Sequence, residues 1–97
     1  MRKARVDENQ PEIVKFLRDK GVVVKHTHMV GSGFADIVCG YKGKNFLFEI
    51  KDGKKPESQR KLTAAETIFH FEWKGQIDIV TSGEDAWNII HAAIKGE

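Results

Sequence analysis

The strongest constraint on the fold is a pair of strand-like segments separated by a short turn. Residues 34–40 and 44–51 are rich in aromatic and β-branched side chains, which favour strands. Gly43 lies between them and supplies the backbone freedom that a tight hairpin turn requires. The two segments are therefore predicted to be neighbours in an antiparallel pair.

The register of this hairpin brings charged side chains together. With Lys42 and Gly43 as the turn, Asp36 lies directly opposite Glu49. Because side chains alternate along a strand, Lys51 shares the face of Glu49.

Like charges opposite each other destabilise a sheet, and burial raises that cost. A divalent cation such as Mg²⁺, which prefers oxygen ligands, would offset the repulsion. The alternative is a cross-strand salt bridge of Lys51 without any function.

The rest of the pattern predicts the order αβββαβα in a single domain, residues 1–97. Gly21 should end a first helix that becomes regular near Gln10, since Pro11 is tolerated only in the first turn. Residues 63–66 form a capping-box sequence that should start the second helix. The predicted elements are helices over about 7–20, 63–74 and 84–94, and strands over about 22–28, 34–40, 44–51 and 76–81.

Basic residues cluster after the hairpin turn. Residues 42–61 contain seven Lys and Arg against three Asp and Glu, and Arg2, Lys3 and Arg5 precede the first helix. Such clustering is typical of a surface that binds phosphate groups. The alternative interpretation is an ordinary solvated loop that binds nothing. The chain contains neither an apolar run of membrane-spanning length nor a secretory signal pattern, so we expect a cytoplasmic protein. Cys39 is the only cysteine and is predicted to lie in the core.

Four short motifs carry a resemblance to a known family. They are DENQ at 7–10, GFADIV at 33–38, EIKDG at 49–53 and RKLT at 60–63. In this order and spacing they resemble the PD-(D/E)xK nuclease superfamily and, more narrowly, the small stand-alone VRR-NUC proteins found in phages. Two positions depart from the family pattern: Ala35 replaces the usual proline, and Glu66 stands where glutamine is typical. A carboxylate at residue 66 would repel phosphate unless it faces away or serves the helix cap.

The resemblance implies a restriction-endonuclease-like αβββαβ core with a C-terminal helix and a mixed four-stranded sheet. It implies a DNA endonuclease dependent on Mg²⁺ or Mn²⁺, similar to Holliday-junction resolvases, that acts as a homodimer on branched or flapped DNA. Asp36, Glu49 and the carbonyl of Ile50 would bind the metal, and Lys51 would assist attack. A phage-encoded protein would work in the host cytoplasm. The alternatives are a non-catalytic DNA-binding module that retains the nuclease fold and a regulatory subunit.

The acid contributed by the first helix is the least constrained site residue. We favour Asp7, with Gln10 beside it, as the site acid, and Glu8 and Glu12 are the other candidates. Alternatively, all three acids only stabilise the start of the helix through its dipole and have no role in the site. Further candidates are basic residues expected to hold the DNA backbone and a histidine expected to touch a phosphate. These are Lys54, Lys55, Arg60, Lys61 and His28. A zinc site built from His26, His28 and Cys39 lacks the spacing typical of such sites.

Overall fold

The computed structural model describes residues 7–96, so the predicted basic residues Arg2, Lys3 and Arg5 lie outside the described part. Its elements are α1 (Gln10–Asp19), β1 (Val23–His26), β2 (Ile37–Tyr41), β3 (Lys44–Ile50), α2 (Ala64–Glu72), β4 (Asp78–Val80) and α3 (Gly83–Lys95). A short 3-10 turn at Glu57–Gln59 interrupts the long connection after β3. The predicted element order and the α+β class are confirmed. Within residues 7–96, no helix is long and apolar enough to cross a membrane.

The four strands form one mixed sheet in the order β1-β2-β3-β4. β4 runs parallel to β3, and the other neighbours are antiparallel. Lys42 and Gly43 both have positive φ, 49° and 81°, which gives the two-residue turn whose twist matches the flanking strands. Ile37 pairs with Phe48, so the predicted hairpin register is confirmed from the turn to this pair, and the expected Asp36–Glu49 pair lies just beyond the ladder.

β1 and β2 are both shorter than predicted, although hydrogen bonds between the two segments continue past the strand ends. The Thr27 hydroxyl donates to the Ala35 carbonyl at 2.8 Å, and the Thr27 N–H donates to the Asp36 carbonyl at 2.8 Å. Residues 31–33 follow with positive φ at each position, which strands do not allow. Asp36 therefore stands one residue before β2, with its N–H still donating to the Phe48 carbonyl at 3.0 Å.

One face of the sheet packs against α1 and α3 and forms the hydrophobic core. The buried core residues are Ile13, Val14, Leu17, Val22, Val24, Ile37, Cys39, Phe46, Phe48, Ile50, Val80, Ala86 and Ile90. Cys39 is among them, as predicted, and burial raises the pKa of its thiol to about 12. Alternation along β3 places Leu47 and Glu49 on the opposite face, and the Asp36 carboxyl reaches the end of the same strand by accepting from the Ile50 N–H.

β4 begins at Asp78 rather than at the predicted Gln76. The reason is that the Gln76 side chain takes the place of a strand backbone beside β3. Its Oε1 accepts from the Leu47 N–H at 2.7 Å, and its Nε2 donates to the Leu47 carbonyl at 2.9 Å. The amide therefore continues the hydrogen-bond ladder by one position without extending the strand.

α2 is held over the sheet by a close backbone approach and an aromatic contact. A Cβ placed on Gly33 would meet the Ala65 carbonyl oxygen at 2.3 Å, so only glycine fits there. The Phe34 and Phe69 rings pack edge to face with centroids 5.2 Å apart. The predicted capping box is confirmed, with Thr63 as N-cap and Glu66 as its acidic partner. The docking of α2 thus depends on the loop before β2.

Alanine at Gly33 should destabilise the protein more than alanine at Gly31. Both positions have positive φ, 78° and 85°, which costs an alanine roughly 1–2 kcal/mol. Only Gly33 adds a collision, which typically costs about 1–3 kcal/mol more, since a Cβ at Gly31 meets nothing within 4 Å. Urea unfolding of the two variants measures the difference, and equal losses would contradict the proposed contact with α2.

Candidate active site

Three carboxyl groups surround one lysine at the end of β3. Lys51 Nζ lies 3.6 Å from Glu49 Oε2 and 3.0 Å from Glu66 Oε1. Asp36 Oδ2 accepts a 2.7 Å hydrogen bond from the Ile50 N–H, which fixes its carboxyl beside the same strand end. We call Asp36, Glu49 and Glu66 the carboxyl cluster. The hairpin supplies the first two, as predicted, and the first turn of α2 supplies the third.

Of the three acids in the carboxyl cluster, Glu49 lies where a negative charge is the least favourable. The residue is 1% exposed, and its Oε1 is buried with no hydrogen-bond partner in the described part of the chain. Burial, the charge of Asp36 and the proximity of Glu66 together raise the pKa of Glu49 to about 10. Burial likewise raises the pKa of Asp36 above its ordinary value. Two negative charges side by side would be costly in this poorly solvated place, so Glu49 keeps its proton at neutral pH.

The lysine and the third acid stabilise each other's charge. Burial alone would lower the pKa of Lys51, but the hydrogen bond and charge of Glu66, together with the charges of Glu49 and Asp7, outweigh burial and raise that pKa. Burial would raise the pKa of Glu66, yet the Thr63 N–H and the Lys51 ammonium hold it below the ordinary value. The glutamate therefore faces the carboxyl cluster and serves the helix cap at once.

The donor atoms fit a hard divalent cation held mainly by two carboxylates. In a strand, the N–H and C=O of one residue point to the same side, so the Ile50 carbonyl is directed toward the side of Asp36. Mg²⁺ commonly takes one or two carboxylates and completes its shell with water and phosphate oxygens. Among residues 7–96, no three His, Cys, Asp or Glu side chains are arranged to hold a metal. The unpartnered Glu49 Oε1 is the atom that a cation would satisfy.

The structure places the three candidate acids differently: Asp7 and Glu8 precede α1, and Glu12 lies in its first turn. The charge of Asp7 acts on Lys51. Glu8 and Glu12 instead line a surface cavity of about 410 Å³ with Asp52. Of the three acids, Asp7 is the one whose charge contributes to the raised pKa of Lys51, as the last and smallest of the named causes, and its assignment to the site stays a prediction.

In the part of the chain that the structure describes, no hydrogen bond joins Gln10 to the carboxyl cluster. It is 1% exposed, and its Nε2 lies 3.0 Å from His26 Nδ1. His26 pairs with Ile37, so this contact lies on the core face of the sheet rather than the face of Glu49. The expected role of Gln10 beside the catalytic groups gains no support from its contacts.

Asn9 supports the site and was not anticipated from the sequence. Its Nδ2 donates to the carbonyls of Lys51 at 3.1 Å and Thr81 at 3.0 Å. These bonds fasten the start of α1 to the ends of β3 and β4. An asparagine at a helix start indicates a cap, but the Asn9 side chain makes no cap hydrogen bond. Only the tertiary structure reveals the partners of its amide.

Four of the five predicted DNA-binding residues lie on the connection after β3, and His28 lies in the loop between β1 and β2. Lys54 and Lys61 are exposed, while Lys55 and Arg60 are half-buried. Arg60 Nε donates to the Lys55 carbonyl at 2.8 Å and so braces this loop from within. His28 is half-buried, its Nδ1 has no hydrogen-bond partner within residues 7–96, and its ring packs edge to face with His26 at 5.9 Å.

Comparisons with known proteins give no information about this site. No family model, curated protein or solved structure matches the chain. The resemblance to VRR-NUC nucleases therefore remains a prediction from the four motifs.

Without a metal, the protein should lose stability as the pH rises. Glu49 keeps its proton in the folded protein up to a pKa of about 10, whereas the unfolded chain releases it near 4.5. The folded state therefore binds more protons between these values, and the free energy of unfolding falls by up to about 1.4 kcal/mol per pH unit. Urea unfolding in EDTA from about pH 5 to pH 8 measures the slope.

The substitution Glu49→Gln should flatten that slope because glutamine has no proton to release. The matched control is Glu57→Gln, which alters an exposed glutamate in the loop after β3 and should keep the wild-type slope. Equal slopes for wild type and Glu49→Gln would show that residue 49 is not the protonated carboxyl.

Proposed function

We propose that this protein is a DNA endonuclease that uses Mg²⁺ or Mn²⁺ to hydrolyse phosphodiester bonds at the carboxyl cluster. One observation carries the proposal: a fully buried glutamate, one oxygen of which has no hydrogen-bond partner within residues 7–96, lies beside a second acid and a lysine. Buried unpaired carboxyls are costly, and strongly shifted acids are typical of functional sites. A structural salt bridge would not require a second hairpin carboxylate next to Glu49.

Asp36, Glu49 and the Ile50 carbonyl would hold the metal. The bound ion would supply positive charge to the phosphate and make a water molecule more acidic. Asp36 is held for this task by the Ile50 N–H, and Glu49 by its burial in β3. Both ligands are thereby fixed before substrate binds, which limits the reorganisation needed during reaction.

Lys51 would orient the attacking water and stabilise the charge that develops on the phosphate. Its ammonium lies between Glu49 and Glu66, and the side chain is 12% exposed. The raised pKa of Lys51 keeps it cationic at neutral pH. It therefore serves as a fixed charge and not as a general base. Asp7 contributes a further negative charge near the same ammonium.

The DNA backbone would be held by the basic loop that leaves β3. Lys54 and Lys55 follow the candidate metal ligands by only a few residues, and Lys61 precedes the cap of α2. Contacts of this kind neutralise phosphates without reading sequence, so preference would come from the shape of the DNA. We extend the proposal to branched or flapped DNA, as the resemblance implies.

A homodimer is part of the same proposal and also follows from the resemblance. Supporting it, α2 exposes large apolar side chains: Phe71 is 86% exposed and Ile68 is 57% exposed. Exposed apolar area of this kind is often covered by another protein surface. The proposed cellular location is the cytoplasm.

Metal-dependent cleavage is the direct test of the proposed activity. Labelled four-way, flap, single-stranded and duplex DNA are incubated with Mg²⁺, with Mn²⁺ or with EDTA. We expect cuts only with metal, and a loss of at least about 100-fold in rate for Asp36→Asn and Lys51→Ala. The matched controls are Asp19→Asn and Lys15→Ala, which alter an exposed ion pair on α1 and should cut as wild type does.

Two results would overturn the proposal. Metal-dependent cuts that survive both site substitutions would place the chemistry elsewhere. Binding of DNA without any cleavage would favour the non-catalytic DNA-binding module.

Removing Lys54 and Lys55 together should lower both the affinity for DNA and its dependence on salt. Each phosphate contact contributes about 0.9 to the slope of log affinity against log salt concentration, so the slope should fall by about two. Titrations between about 50 and 200 mM salt measure this slope. The control Lys15→Ala with Lys95→Ala removes two lysines from α1 and α3. An unchanged slope for the loop variant would exclude these lysines from the DNA contact.

A further inference from the structure

The Glu66 carboxylate joins two parts of the molecule through a single oxygen. Its Oε1 accepts from the Thr63 N–H at 2.9 Å and from Lys51 Nζ at 3.0 Å. In return, the Glu66 N–H donates to the Thr63 hydroxyl at 3.2 Å and completes the capping box of α2. The first turn of α2 is therefore tied directly to the ammonium at the end of β3.

We propose that Glu66 is a positioning residue that holds the Lys51 ammonium at the carboxyl cluster. What Lys51 then does rests on the proposed function, but its placement does not. A lysine has a flexible four-carbon stem and three rotatable donors, so β3 alone does not fix where the ammonium points. The 3.0 Å contact to Glu66 is shorter than the 3.6 Å contact to Glu49, which makes Glu66 the main anchor.

The capping box explains why a glutamate can hold the lysine in one place. The Thr63 backbone restricts the carboxylate, so little additional side-chain freedom is lost when Lys51 binds it. α2 is itself placed by the close approach of Gly33 to Ala65 and by the contact of Phe34 with Phe69. The position of the ammonium consequently depends on the docking of α2 and not only on the hairpin.

The substitution Glu66→Gln separates the two roles of this residue. Glutamine also completes a capping box, so the helix cap and the urea midpoint should stay close to wild type. The charge opposite Lys51 is lost, and a neutral acceptor binds an ammonium more weakly than a carboxylate does. The variant therefore tests the hold on Lys51 without dismantling α2.

The first readout is the exchange of the Lys51 ammonium protons with water, followed by NMR of ¹⁵N-labelled protein. Wild type should show a slowly exchanging Lys51 signal, and Glu66→Gln should exchange at least about fivefold faster. The second readout is cleavage: kcat should fall by about tenfold while KM does not rise, because the substrate-facing residues are unchanged.

The matched control is Ser82→Ala, which removes the side-chain cap of α3 and does not touch Lys51. It should lower stability and leave both the ammonium exchange and kcat as in wild type. If Glu66→Gln leaves the exchange rate unchanged, the inference is wrong. If wild type cuts no DNA, the proposed function fails, and the exchange rate alone decides whether Glu66 holds the lysine.

Discussion

The register of the β2–β3 hairpin determines where the charges of the molecule meet. The two-residue turn at Lys42 and Gly43 fixes which residues pair. A slip of one position would move Glu49 to the core face and expose the aromatic residues of β3. Because that face must pack against α1 and α3, the hydrophobic core itself holds the acids on the other side. The core and the candidate site are thus two consequences of one register.

The carboxyl cluster contains more acidic groups than the single ammonium of Lys51 can neutralise. Two of the three carboxyl groups contact the one ammonium, and the most buried of the three, Glu49, has an oxygen without a hydrogen-bond partner in the described part of the chain. Glu66 and Lys51 stabilise each other, whereas the pKa of Glu49 and that of Asp36 are both raised. A site built only for stability would replace such acids with apolar side chains, since removing buried charges is often stabilising. Their presence together favours a role in binding a cation.

The hairpin, its register and the shared position of Asp36, Glu49 and Lys51 on one side of the sheet could be predicted from the sequence. They depend on the alternation of side chains along a strand and on the residues of the turn, which involve only near neighbours. The capping box was equally visible, since its two residues are three positions apart. The partners of Glu66, Asn9 and Gln76 are separated from them by 15 to 72 residues and arise from tertiary packing. Their side chains had a plain local interpretation, as caps or strand residues, so the sequence offered no signal for these longer contacts. Gln10 illustrates the converse, because its position beside Asp7 suggested a site role while its side chain contacts His26.

The central claim is that Asp36, Glu49 and the Ile50 carbonyl bind a divalent cation, and paramagnetic NMR with Mn²⁺ tests it most directly. Small amounts of Mn²⁺ are added to ¹⁵N-labelled protein, and the broadening of each backbone amide signal is followed. The structure predicts that the amides of Asp36, Ile50 and Lys51 broaden first, and that Mg²⁺ in excess reverses the effect. Broadening that begins instead at the acidic cavity of Glu8, Glu12 and Asp52, or that spares the hairpin, would contradict the claim.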